Sequence, residues 1–109
     1  MRIGFIVNPI AGMGGKVGFK GTDGVAKEAL AKGAMPVAPQ RAKEFLNALK
    51  LRLGDYQITL LCCPGNMGAI EAKESGFTCQ ILPMVIGEET SSADTQKGIA
   101  LMQEANVDL

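Results

Sequence analysis

The residues most able to do chemistry lie near the start of the chain. Asn8-Pro9 is followed by Gly12, Gly14 and Gly15, with Lys16 and Lys20 close behind. Glycines admit positive φ and let the backbone approach another group closely. A glycine loop carrying lysines, placed after a strand, offers a bed of amide groups for phosphate. A plain flexible link between strand and helix would use the same residue types. The loop is not a Walker loop, because no Gly-Lys-Ser/Thr follows at the required spacing. Nor is it the dinucleotide fingerprint, whose third glycine would fall on Val17.

Further candidates recur along the chain. Thr22-Asp23-Gly24 reads as a helix start, where Thr22 or Asp23 can accept from a free first-turn amide. The same three residues can instead face the ligand of the first loop. Pro64-Gly65-Asn66-Met67-Gly68 forms a second glycine turn, and Asn66 can cap the helix after it or touch a ligand. Thr90 and Ser91 offer hydroxyls at a helix start, a place suited to phosphate. Ser91 with Asp94 matches a capping box. Glu88 and Glu89 are adjacent acids in a loop, a pattern typical of solvated side chains.

Composition removes several classes of function. The chain has no histidine, which removes the usual general base and the usual metal ligand. Serine-histidine and cysteine-histidine catalysis are therefore impossible within it. Cys62, Cys63 and Cys79 fit no zinc spacing and no Cys-x-x-Cys motif. Cys62 and Cys63 have no basic neighbour in sequence and read as core. An odd cysteine count predicts reduced thiols in the cytoplasm, and a strand that begins at Ile3 leaves no room for a signal peptide. Lysine plus arginine number 11 against 11 acidic residues, so broad binding of nucleic acid or anionic membrane is not expected. One tyrosine and no tryptophan make stacking on nucleic-acid bases a poor fit. No apolar run approaches the ~18 residues of a membrane span.

The elements that must position these residues alternate. Ile3 to Val7 reads as a buried strand, continuous and rich in β-branched side chains. Val25, Ala26, Ala29 and Leu30 recur at helical spacing, with Gly33 where a C-terminal cap belongs. Ala34 to Ala38 reads as a connector, and Pro39 opens a helix. Ala42, Phe45, Leu46, Leu49 and Leu53 form that helix's apolar stripe, which Gly54 ends. Tyr56 to Cys63 is the second strand, and Ala69 to Ser75 a short helix stopped by Gly76. Phe77 to Leu82 is a third strand, at an edge given Pro83. The last helix runs to about Ala105 with Ile99, Met102 and Ala105 on its apolar face. Val107-Asp108-Leu109 reads as the first residues of a fourth strand, which predicts that the 109 residues are one domain and an N-terminal fragment of a longer protein. The alternation predicts an α/β domain of three layers, α/β/α, with a mainly parallel, Rossmann-like sheet and right-handed crossovers.

Taken in order, these segments resemble the N-terminal region of the ATP-NAD kinase family, in its archaeal and bacterial AcoX-like branch. The resemblance is carried by Arg2-Ile-Gly-Phe-Ile-Val-Asn-Pro-Ile-Ala-Gly-Met-Gly-Gly15, then by Gly18-Phe-Lys-Gly-Thr-Asp-Gly24. The Pro64 to Gly68 turn and the Thr/Ser-rich stretch before Asp94-Thr95 add to it. The Asn-Pro-x-x-Gly start also resembles the nucleotide loop of diacylglycerol and sphingosine kinases, in the same wider superfamily. The resemblance implies a phosphofructokinase-like N-terminal domain. It implies transfer of a phosphoryl group from ATP, with magnesium, or from polyphosphate, to the adenosine ribose 2′-hydroxyl of NAD. Asn8, Pro9, Ala11, Gly12, Gly14, Gly15, Thr22, Asp23, Gly24, Gly65, Asn66, Met67, Thr90, Ser91 and Asp94 would then line the nucleotide cleft. Asp23 and Asp94 could assist a magnesium site, and each is equally well explained as a helix cap. The family's catalytic Gly-Gly-Asp-Gly-Thr motif is absent from this chain, as is the β-rich domain that supplies much of the NAD contact and the oligomer interface. The expectation is a homo-oligomeric kinase parent and a fragment inactive alone. A lipid or sphingoid-base kinase-like parent, or a non-catalytic nucleotide-binding regulatory module, remains as an alternative.

Overall fold

The computed structural model describes residues 1–11 and 37–109. The expected helix at Val25 to Leu30, its Gly33 cap and most of the Ala34 to Ala38 connector lie outside the described residues.

Among the described residues the elements are β1 (Arg2–Phe5), α1 (Ala38–Leu53), β2 (Thr59–Cys62), a 3-10 turn (Gly65–Met67), α2 (Ala69–Glu74), β3 (Cys79–Ile81) and α3 (Ser92–Glu104). The three strands form one parallel sheet in the order β1-β2-β3. Ile3 pairs with Leu60, and Leu60 with Cys79. The chain is a small α/β fold, as the alternation of elements predicts. The second and third strands are shorter than the apolar runs that contain them. Tyr56 stands exposed ahead of β2, and Cys63 joins only an isolated bridge to Gly68. Among the described residues β3 is an edge strand, as Pro83 foretells.

Alternate side chains of β2 enter two apolar clusters. Leu60 and Cys62 join Leu46 of α1 and Ala69 and Ala72 of α2. Leu61 and Cys63 join Met67, Leu82, Met84 and Met102 of α3. The close approach of α3 is set by small residues. A methyl group on Gly98 would meet the Cys63 Sγ at 2.5 Å, and one on Gly4 would meet the Met102 Sδ at 2.5 Å.

Helix α1 starts with Pro39 in its first turn, where a missing N–H costs nothing, and Gly54 ends it at φ 56°. Its first residue is Ala38, one earlier than expected. Its stripe is narrower than the sequence predicts. Leu46 is fully buried and Leu49 and Leu53 half-buried, but Phe45 is 56% exposed. Ile99 of α3 is likewise exposed, at 45%, and Gly98 takes the buried position instead.

Lys50 fastens α1 to α2. Its Nζ donates to the carbonyls of Ser75 at 3.3 Å and Gly76 at 3.2 Å, and lies 5.8 Å from the Phe77 ring centre. These carbonyls close the C-terminus of α2, where a cation also meets the helix dipole favourably. Lys50→Met keeps the apolar stem. It is expected to lower unfolding free energy by about 1 kcal/mol, read as a lower urea midpoint at constant slope. An unchanged midpoint would mean that the ammonium is solvated in solution.

At the far edge of β1, the Gly4 amide donates to the Leu109 carbonyl at 2.8 Å, and the Asp108 amide to the Arg2 carbonyl at 2.7 Å. Arg2 reinforces this join. Its amide donates to Asp108 Oδ2 at 2.7 Å, and its Nη1 to the Ala105 carbonyl at the end of α3 at 2.8 Å. The strand-like reading of Val107 to Leu109 thus corresponds to backbone bonds along β1, although the segment is not itself a strand. Among the described residues, no helix is long and apolar enough to cross a membrane.

Candidate functional site

All three strands run parallel, so the segments after them gather at one edge of the sheet. That carboxyl edge is where open α/β sheets bind ligands.

The first segment is a tight turn. The Ala11 amide donates to the Asn8 carbonyl at 3.0 Å, with Pro9 at the second turn position, where its fixed φ belongs. Asn8 Oδ1 accepts from the Ile10 amide at 3.2 Å, a local bond that asparagine makes readily. Asn8 is exposed, Pro9 is buried and Ala11 is half-buried. Asn8 therefore shapes the turn with its backbone and side-chain carbonyl oxygens, and it also lines a cleft. Gly12, Gly14, Gly15, Thr22, Asp23 and Gly24 lie outside the described residues.

The second segment locks onto the first. The Val7 amide donates to the Met67 carbonyl at 2.9 Å. Gly65 at φ 57° begins the 3-10 turn, and Gly68 at φ 140° starts α2. Met67 is 1% exposed, so its side chain is core and only its backbone faces the first turn. Asn66 is exposed and does not cap α2: the cap position is Gly68, without a side-chain hydrogen bond.

The third segment reaches the second through apolar contact. The Ile86 Cδ1 lies 3.4 Å from where a methyl on Gly65 would sit. Helix α3 opens with the predicted capping box, in which Asp94 Oδ2 accepts from the Ser91 amide at 2.9 Å. Thr90 is half-buried and Ser91 exposed. The structure thus joins Asn8, Pro9 and Ala11 to Gly65, Asn66 and Met67, and brings Asp94 within electrostatic reach of Cys63. Among the described residues, no hydrogen bond runs directly from the first turn to Thr90 or Ser91.

The thiols here are inert. Burial pushes the Cys63 thiol up, and the Asp94 carboxylate adds to that. Cys62 is raised further, first by burial and then by the Cys79 thiol. Neither offers a thiolate near neutral pH. Asp94 is engaged as a cap, and no cluster of three or more acidic, cysteine or histidine side chains forms among the described residues.

No protein-family model, curated protein or solved structure matches the chain.

Two features of this end of the molecule escaped the sequence reading. One is Arg41, which lines the cleft beside Asn8. The other is Glu71, 2% exposed on the inner face of α2. Its signal is present in sequence: Gly68, Ala72 and Ser75 share its face at helical spacing, and small residues there allow close packing around it.

Proposed function

We propose that this chain supplies part of the phosphate-binding cleft of an ATP-NAD kinase-like enzyme. In this reading a longer parent transfers a phosphoryl group from ATP, carried as its magnesium complex, or from polyphosphate, to the 2′-hydroxyl of the NAD adenosine ribose. The observation that carries the reading is the Val7–Met67 hydrogen bond, which holds the Asn8 turn against the Gly65–Met67 turn at the carboxyl edge of a parallel sheet. Phosphoryl transfer is governed by positioning and charge stabilisation, and two turns held together at such an edge provide the positioning.

The bonds from Asp108 and Leu109 to the outer side of β1 support the finer, three-layer Rossmann-like reading. They extend the order to β3-β2-β1 and then the C-terminal segment. The order would then reverse beside β1, and a reversal opens a crevice at that strand's carboxyl end. The free Cys62, Cys63 and Cys79 support a reducing compartment, the cytoplasm.

The test is a titration of the chain with ATP and, separately, NAD, each with magnesium, following backbone amide signals by NMR. The reading expects shifts at Asn8 to Gly15, Gly65 to Met67 and Thr90-Ser91. The absence of any shift in a folded sample would remove the cleft. NADP formation by the purified chain alone would overturn the assignment of catalysis to further elements of a parent.

A further inference from the structure

A cleft of about 610 Å3 opens between the carboxyl end of β1 and the first turns of α1. Phe5 to Val7 form one wall, and Val37, Ala38 and Ala42 the other. Among the described residues, Asn8 and Arg41 supply its polar side chains. The volume falls within the roughly 300–1,000 Å3 of small-molecule clefts, and mostly apolar walls with a few polar groups are typical of them.

This chemistry does not suit bare phosphate, which requires donors on several sides. It suits a flat heteroaromatic body whose faces are apolar and whose edges hydrogen-bond. Arg41 is exposed, its guanidinium has no ion-pair or hydrogen-bond partner among the described residues, and no acidic residue lies in the first turn of α1. A guanidinium so placed can stack on a ring or donate to its acceptors. The cleft also adjoins the first turn, because Asn8 and Ala11 belong to both.

We infer that this cleft receives the nucleoside part of the nucleotide, its base between the β1 and α1 walls and its phosphates directed toward the Asn8 turn. The inference rests on the nucleotide reading of that turn. Arg41 and Asn8 orient the base by donating to it, and the small Ala42 side chain leaves room for the ring.

The experiment is calorimetric titration of the whole chain with three probes: ATP, adenosine and inorganic tripolyphosphate. Wild type is expected to bind ATP more tightly than tripolyphosphate, and to bind adenosine measurably. Ala42→Leu, which fills the cleft, is expected to abolish adenosine binding and bring ATP down to the tripolyphosphate level. Arg41→Gln is expected to weaken ATP and adenosine alike by about tenfold or more, the loss of one charge-assisted contact, with tripolyphosphate unaffected. Ala38→Leu blocks the same cleft should Ala42→Leu fail to fold. Tripolyphosphate binding without preference for ATP overturns the nucleoside cleft and keeps the phosphate bed. Adenosine binding that is lost in the filled variant, without tripolyphosphate binding, supports the cleft and removes the bed. Binding of none of the probes overturns both.

Discussion

Gly68→Ala is expected to destabilise the protein by about 3 kcal/mol, the upper end for forcing a side chain into a forbidden backbone region. Two independent terms act at this position. Its φ is 140°, where an L-residue is strained whatever the space around it. Its methyl group would also lie 2.9 Å from the Phe5 carbonyl oxygen and 3.3 Å from the Phe5 ring. Backbone of β1 cannot yield without disturbing the sheet, because Phe5 is paired with Cys62. Gly65→Ala provides the control. Gly65 sits at φ 57°, an ordinary left-handed conformation, and its methyl would rest 3.4 Å from the flexible end of Ile86. That change is expected to cost about 1 kcal/mol. Urea unfolding of both variants measures the contrast. A domain of this size has about 5–15 kcal/mol of stability in all, so Gly68→Ala removes a large share of it. Equal effects of the two substitutions would show that the turn relaxes in solution and that the Phe5 contact does not hold it. The change would also reach the candidate site, because Gly68 follows the Met67 carbonyl that binds Val7.

What was legible in the sequence is what local chemistry decides. Pro39 and Gly54 bracket α1, Ser91 and Asp94 box the start of α3, and Pro83 follows an edge strand, each through a bond or a torsion within a few residues. Leu60 to Cys63 form a continuous apolar run because β2 is central and enters a cluster on either side. The failures lie where contact across the chain decides. Phe45 sits next to the fully buried Leu46, and periodicity treats the two alike. The three-stranded sheet covers the helix at Leu46, Leu49 and Leu53 and leaves Phe45 outside. Gly98 carries no local signal, because its role is to admit the sulfur of Cys63, a residue far away in sequence. Asn66 looked like a cap by type, but the turn that precedes α2 gives that place to Gly68. At the candidate site, the Asn8-Pro9 turn was readable from its residues. Its junction with Met67 was not, since a backbone bond leaves no mark on side-chain identity.

Glu71→Gln is expected to stabilise the protein near neutral pH and to do nothing, or slightly harm it, in mild acid. Glu71 is buried, and its Oε2 has no hydrogen-bond partner among the described residues. Burial therefore raises its carboxyl above the ordinary value, and the nearby Glu74 carboxylate raises it further. The Gly68 and Glu71 amides and the Lys43 ammonium pull the other way without cancelling the shift. Lys43 is already bridged to Glu74 at 2.9 Å, which divides its charge between two acids. The sign follows from proton linkage. The folded state holds this proton to a higher pH than the unfolded chain does, so the Glu71 contribution is most favourable below the unfolded pKa. It is lost as pH rises from there through the raised folded value. Glutamine has the shape of the protonated acid and no charge to bury. The difference between variant and wild type should therefore be near zero in mild acid and grow as pH rises through the raised folded value. Glu71→Leu separates the two causes. If charge burial dominates, leucine and glutamine gain stability with the same pH profile. If the missing hydrogen bond dominates, leucine gains at every pH and glutamine at none. Urea midpoints of the three proteins across that range measure both. A wild type that gains stability over the glutamine variant as pH rises would mean that Lys43 forms a closed pair with Glu71, against the Glu74 bridge seen here.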